Sequence, residues 1–274
     1  MIGASRRPAA AAPTPAPVPP PGIGVGGGAL VRITEASKVY GDTANAVHAL
    51  DRINLEVGAG EFVCLLGASG CGKSTLLNLV AGLDRPTAGS VDVAGRTSLM
   101  FQEAALFPWL TAAGNVELAL QLDGMARRKR RARARALLAM VNLEEFGRKR
   151  PHELSGGMRQ RVALARALAQ QVDVLLMDEP FGALDAMTRD VLHDEVERIW
   201  RETGVGVLFV THNVREAVRL GDRVVMLSSR PGTVIAEFPV DISRPRRIDS
   251  PEVATLAADI TDQLREEVMR HGAH

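Results

Sequence analysis

Apolar and polar residues alternate with a period of two in three short stretches: Val31 to Ala36, Ile53 to Val57 and Ser90 to Ala94. Such alternation marks strands with one face buried and one face wet, and the three together predict an antiparallel layer. A second kind of segment lacks polar residues altogether. Phe62 to Leu66, Val174 to Met177, Val205 to Val210 and Val224 to Leu227 belong to it, and they predict strands covered on both sides. Helical patterns separate these strands, which predicts a parallel sheet flanked by helices. From about residue 104 to 171 no strand pattern appears, and Ala, Leu and Arg dominate. That stretch predicts an α-helical subdomain inserted into an α/β core.

The pattern fails at the start of the chain. Residues 1–29 hold Pro8, Pro13, Pro15, Pro17 and Pro19 to Pro21, then Gly22, Gly24 and Gly26 to Gly28. So little apolar surface does not offset the entropy of ordering, and a disordered tail is expected. The main domain is expected over residues 30–240 and an extension over 241–274. Within the extension, Ser250-Pro251 forms an N-cap and N1 pair for a helix. Val253, Ala257, Ile260, Leu264 and Val268 fall on one face, which is expected to pack back on the core.

Composition changes this picture little. Apolar residues make up 46% and charged residues 24%, as in ordinary globular proteins. Lys plus Arg (33) balance Asp plus Glu (32), so no global field favours nucleic acid. A local block does stand out: Arg127, Arg128, Lys129, Arg130, Arg131, Arg133 and Arg135. No aromatic residue interleaves it, and the alanines and leucines that follow predict a helix with a solvated basic side. No nucleic-acid partner is expected. Cys64 and Cys71 flank a glycine-rich loop, where a crosslink would stiffen the wrong place, so reduced thiols are expected. No apolar run approaches the roughly 18–20 residues needed to cross a bilayer, and no leucine-rich segment follows Arg6 and Arg7. A soluble chain that docks to a partner is expected.

Candidate chemistry begins with Gly67-Ala68-Ser69-Gly70-Cys71-Gly72-Lys73-Ser74-Thr75, which fits G-x-x-x-x-G-K-[ST] without a gap. A buried strand enters it and a helical run, Leu76 to Val80, leaves it. Glycines let the backbone curl so that successive N–H groups face phosphate oxygens, and the helix N-terminus adds positive potential. Lys73 is placed to reach the β- and γ-phosphates and Ser74 to ligate Mg²⁺. Further on, the apolar run Val174 to Met177 ends in Asp178-Glu179-Pro180. A carboxylate at the carboxyl end of a buried strand lies in the crevice of a doubly wound sheet. Asp178 suits Mg²⁺; Glu179, one residue on, suits a water lined up on the γ-phosphate.

Leu154-Ser155-Gly156-Gly157-Met158-Arg159-Gln160 opens another helix, with apolar Val162, Ala165, Leu168 and Ala169. Serine and two glycines at a helix start form a second anion site. Two anion sites for one nucleotide fit a head-to-tail pair in which each chain covers the other's ATP.

With these motifs in order, the chain resembles the ATPases of ABC transporters over about residues 30–240, and L-S-G-G-x-x-Q resembles that family's signature. The resemblance implies a RecA-like P-loop NTPase core and further roles. Tyr40, in Lys38-Val39-Tyr40-Gly41, is similar to the aromatic that stacks on adenine. Gln102, in Met100-Phe101-Gln102-Glu103, is similar to the glutamine that touches Mg²⁺ and water. Asp185 closes Ala183-Leu184-Asp185, similar to the loop that crosses the dimer interface, and His212 follows Thr211 like the histidine that contacts the γ-phosphate. Ser155, Gly156, Gly157 and Gln160 become the signature facing the partner chain's nucleotide. His48, His152, His193, His271 and His274 are given no role.

Phe107-Pro108-Trp109-Leu110-Thr111 and Asp178 to Asp185 resemble importers of aliphatic sulfonates, taurine and nitrate, as do Arg230-Pro231-Gly232 and Arg244-Pro245-Arg246. Two departures are the short span from Val93 to Phe101 and Asn213 where relatives often carry Asp. The implied assembly is a homodimer of this chain at the cytoplasmic face of the membrane. It works with two transmembrane permease subunits and a solute-binding protein, using ATP and Mg²⁺. Leu106, Phe107, Trp109 and Leu110 crowd a proline-interrupted segment just after Gln102; core packing is open for Trp109, and some of the four are expected to line a groove that receives a short helix of the permease.

Overall fold

The computed structural model describes residues 28–42 and 45–271. The expected disordered tail lies almost entirely outside the described residues. The chain runs β1 (Ala29–Tyr40), β2 (Val47–Gly58), β3 (Phe62–Leu66), α1 (Lys73–Val80), β4 (Ala88–Val93) and β5 (Thr97–Met100). Helices α2 (Ala112–Leu122), α3 (Arg127–Met140) and α4 (Gly156–Leu168) follow, with two short 3-10 turns before α4. Then come β6 (Val174–Asp178), α5 (Ala186–Thr203), β7 (Gly206–Val210) and α6 (Val214–Leu220). The last elements are β8 (Arg223–Leu227), β9 (Val234–Pro239) and α7 (Pro251–His271).

The alternating segments form a three-stranded antiparallel sheet in the order β2-β1-β4. The all-apolar segments form the centre of a six-stranded sheet, β5-β6-β7-β3-β8-β9, parallel except where β9 runs against β8. Strand β3 divides two cores. Phe62, Cys64 and Leu66 face the core shared with the helices, and Val63 and Leu65 face the core under the antiparallel sheet and α1. Both faces are dry, which is why the strand contains no polar residue.

Two strands carry no signal in the sequence. Thr97-Ser98-Leu99-Met100 is too short and mixed to show a period, yet it pairs with β6 and ends one residue before Phe101. It occupies the short span that departs from the family pattern. Strand β9 lies at the opposite edge and carries Glu237 in its middle. Among the helices, α3 buries Ala134, Leu137 and Leu138 and leaves most of its cations in solvent; Arg130 pairs with Glu117 at 3.7 Å. Helix α7 corrects one expectation. Val253, Ala257 and Ile260 are buried and Leu264 packs against them, but Val268 is 44% exposed and Glu267 takes the last inward position. The inward residues are spaced four, three, four and three apart, so the seam reaches 267 and not 268.

Candidate functional site

The loop Gly67–Thr75 joins β3 to α1. Its glycines are required by their surroundings. A Cβ on Gly72, whose φ is 102°, would lie 2.6 Å from Leu50 Cδ2 and 2.7 Å from Ala49 O, and one on Gly67 would meet Cys71 Sγ at 2.6 Å. Gly72 is the N-cap of α1, and no side chain caps the helix, so its first N–H groups are offered to the loop's interior. Ala68 is half-buried and its carbonyl accepts from Cys71 N at 3.3 Å, while Ser69 is exposed. Lys73 is only 6% exposed and donates from Nζ to Gly67 O at 2.8 Å and Ala68 O at 2.9 Å. Cys64 and Cys71 are both free and buried, and burial pushes both thiols up.

Strand β6, one strand removed from β3, carries Asp178 to the same rim. Burial raises the Asp178 carboxyl, while a hydrogen bond with Ser74 acts the other way. A hydroxyl and a carboxylate side by side form the hard-oxygen pair that Mg²⁺ prefers, so these residues fit that ion. Glu179 leaves the strand with φ of 44°, rare for a residue with a Cβ. Its amide donates to Val210 O at 3.0 Å, which holds the turn. The sharp turn brings Glu179 Oε2 within 2.8 Å of His212 Nδ1, which donates to it. Nothing in the sequence pairs Glu179 with His212, which lies 33 residues further on. The Gln102 amide stands nearby: its Nε2 and Glu179 Oε2 flank Gly182, at 3.4 and 3.7 Å from where a Cβ would lie.

Ser155 accepts from Met158 N at 3.2 Å and so caps α4. Gly156 and Gly157 pack on Leu184 and Thr188, where a Cβ on Gly157 would come within 2.5 Å of Thr188 Cγ2. Gln160 is buried and donates to Gln102 O at 2.7 Å, a link that spacing did not reveal. Asp185 caps α5 by accepting from Thr188 N at 3.0 Å, and that bond holds its carboxyl below the usual range. Tyr40 is 39% exposed, bonded to Asp84 at 2.9 Å and covered on one side by Lys38. Its sheet touches the phosphate loop through Ala49 and Leu50 of β2.

Three groups escaped the sequence reading. His193 is fully buried and bonded to Glu216 at 2.5 Å, and Glu216 also accepts from Thr211, the residue before His212. Asn115 is buried and holds Phe107 by both its N–H and its carbonyl. Arg166 donates to the carbonyls of Ala104 and Ala105, and burial lowers its pKa. None has a local motif: His193 to Glu216, Asn115 to Phe107 and Arg166 to Ala104 and Ala105 are pairings across eight residues or more.

The family model described as "ABC transporter" matches residues 50–182. The nitrate import ATP-binding protein NrtD of Synechocystis sp. is 46% identical over 220 residues, covering 77% of this chain and 83% of that protein. The taurine import ATP-binding protein TauB of Burkholderia thailandensis is 47% identical over 218 residues, covering 77% and 84%. The chain belongs to the ABC transporter ATP-binding family. A dimeric ATP-binding cassette solved after hydrolysis with ADP and Pi bound superposes with a TM-score of 0.69 at 35% identity. It covers 78% of this chain and 100% of the other. As an ABC ATPase the chain binds ATP and hydrolyses it to power transport, on the RecA-like core described above. No described helix is long and apolar enough to cross a membrane.

Proposed function

We propose that this ABC ATPase energises import of a small anionic solute, with aliphatic sulfonates as the substrate class and taurine and nitrate as neighbours. Similarity to the nitrate and taurine import proteins supports import. Two copies enclose two nucleotides, each bound by Tyr40 and the loop Gly67–Thr75 of one chain and by Ser155, Gly156 and Gly157 of the other; Gln160, expected among them, is buried and bonded to Gln102 O, so it supports that signature from behind. The dimeric cassette to which the chain is similar supports that arrangement. Ser74, Asp178 and Gln102 would hold Mg²⁺, which when bound neutralises phosphate charge. Lys73 leaves its two carbonyls for the β- and γ-phosphates. Asp185 borders the partner chain. No observation favours a nucleic-acid or ribosome-associated ATPase.

The observation that carries the hydrolytic reading is the 2.8 Å contact of Glu179 with His212 at the end of β6. Glu179 accepts the proton of the attacking water, and His212 orients that carboxylate through Nδ1 beside the γ-phosphate. Glu179→Gln is expected to lower turnover about 10²–10³-fold and leave ATP binding intact, so that trapped ATP holds two chains together. Light scattering with Mg·ATP reads it: a mutant that stays monomeric and turns over at the wild-type rate removes the assignment.

The peripheral position at the cytoplasmic face rests on docking to a permease. Phe107 lines a groove of about 620 Å³ together with Leu118 and Leu122 and is 37% exposed; Trp109, 68% exposed, lies against Phe107 with the rings tilted and 5.3 Å between centroids. Leu106 instead packs against the core. Phe107→Glu is expected to weaken co-purification with the permease by about 2 kcal/mol or more, as loss of an aromatic anchor does. ATP binding by the isolated chain should persist. Unchanged assembly and unchanged uptake would rule the groove out.

A further inference from the structure

The loop between β8 and β9, Ser228 to Thr233, contributes to no role assigned so far, yet it lies against the phosphate loop. Gly232 approaches so closely that a Cβ there would stand 2.2 Å from Cys71 O. Its backbone is fixed to β2: Gly232 N donates to Ala49 O at 3.0 Å, and Asp51 N donates to Gly232 O at 2.9 Å. Ser228 closes the loop from within by accepting from Thr233 N and donating to Pro231 O. From this frame Arg230 donates through Nε to Gly70 O at 3.1 Å.

That bond has a direction that bears on binding. Where a peptide N–H is to face phosphate oxygens, the carbonyl of that same peptide points the other way. Gly70, at φ of 77°, lies where the chain has most freedom to turn over. A charged donor on the Gly70 carbonyl fixes the Gly70–Cys71 peptide, whose N–H rests on Ala68 O at 3.3 Å, before any nucleotide arrives. The same guanidinium brings positive charge to the outer wall of an anion site.

Helix α7 reaches this loop by an unexpected residue. Glu267, buried at the end of an otherwise apolar seam, accepts from Ser229 N at 3.0 Å. Burying a carboxylate is costly unless its bonds are made, and an apolar residue at 267 would serve packing alone. The carboxylate instead orders the residue next to Arg230.

We propose that Arg230 is a positioning residue for the phosphate loop, and that α7 sets its place through Glu267. The inference rests on Gly67–Thr75 being the phosphate cradle. The test is ATP affinity of the full chain with Mg²⁺, by titration calorimetry, alongside thermal stability. Arg230→Ala is expected to weaken ATP binding about fivefold, as loss of one hydrogen bond does, with the melting temperature unchanged because Arg230 is exposed. Arg230→Lys should recover part of the loss. Glu267→Ala should weaken binding too, but by no further factor in the Arg230→Ala background. Glu267→Gln keeps an acceptor oxygen and should bind as wild type.

Wild-type affinity in Arg230→Ala overturns the proposal. Multiplying factors in the double mutant overturn the link through Glu267. Should Glu267→Ala fail to fold, Arg230→Ala and Glu267→Gln decide it. Lys73→Ala separates the two layers: if it binds ATP normally, the cradle reading falls; if it loses ATP while Arg230→Ala does not, only this proposal falls.

Discussion

The chain contains two glycine-bearing helix starts suited to anions, and they are finished differently. At α1 the N-cap is Gly72 with no side-chain cap, and Lys73 is buried with its ammonium on two loop carbonyls. At α4 the N-cap is Ser155, exposed, with its hydroxyl already engaged by Met158 N. The first start is enclosed by β2, β3 and the β8–β9 loop and can surround a ligand. The second is open on one side. In the proposed pair a second copy supplies the missing half, so the contrast separates a site built to bind alone from one that would wait for closure.

The sharpest way to break this comparison is Ser155→Arg. It leaves the α1 site untouched, so each chain should bind ATP as before, while turnover of the assembled pair falls more than tenfold because a bulky cation enters the closed interface. Mixing with Lys73→Ala chains should then restore activity through one intact composite site. ATPase assays across mixing ratios check it, and recovery at no ratio counts against shared sites.

A smaller effect sharpens the comparison. Ser155→Ala removes the cap and should cost about 1 kcal/mol of stability, visible in denaturant melts. Ser155→Asp, which keeps an acceptor, should restore that stability yet depress turnover by repelling phosphate. If both variants turn over normally, the hydroxyl's part is structural only.

Much of this was legible before any coordinates. The both-faces-buried strands β3, β6, β7 and β8 announced themselves as apolar runs, and the residues at their carboxyl ends, Gly67 to Ser74, Asp178 and Glu179, were named with them. Local chemistry at a strand end is written locally. What stayed hidden depends on pairing over distance. Strand β5 has four residues and no period, and exists because β6 offers it a partner. The bonds of Gln160 to Gln102 O and of His212 to Glu179 each join residues more than thirty apart. Glu267 carries no such signal, because its apolar neighbour Val268 satisfies the helical pattern better although it is the exposed one of the two.

Strand β3 has one more consequence, and it concerns register. In a strand with one wet face, a slip of one residue is resisted by polarity, since every apolar side chain would turn to solvent. Phe62 to Leu66 lack that safeguard, because both of their faces meet apolar cores. The lock lies downstream. Gly67 and Gly72 fit only where they are, one against Leu227 and the other against Ala49 and Leu50, and a shift of one position would drive Cys71 or Lys73 into the space that Gly72 leaves free. The glycines proposed to open the cradle to phosphate thus also fix how the central strand threads between its neighbours.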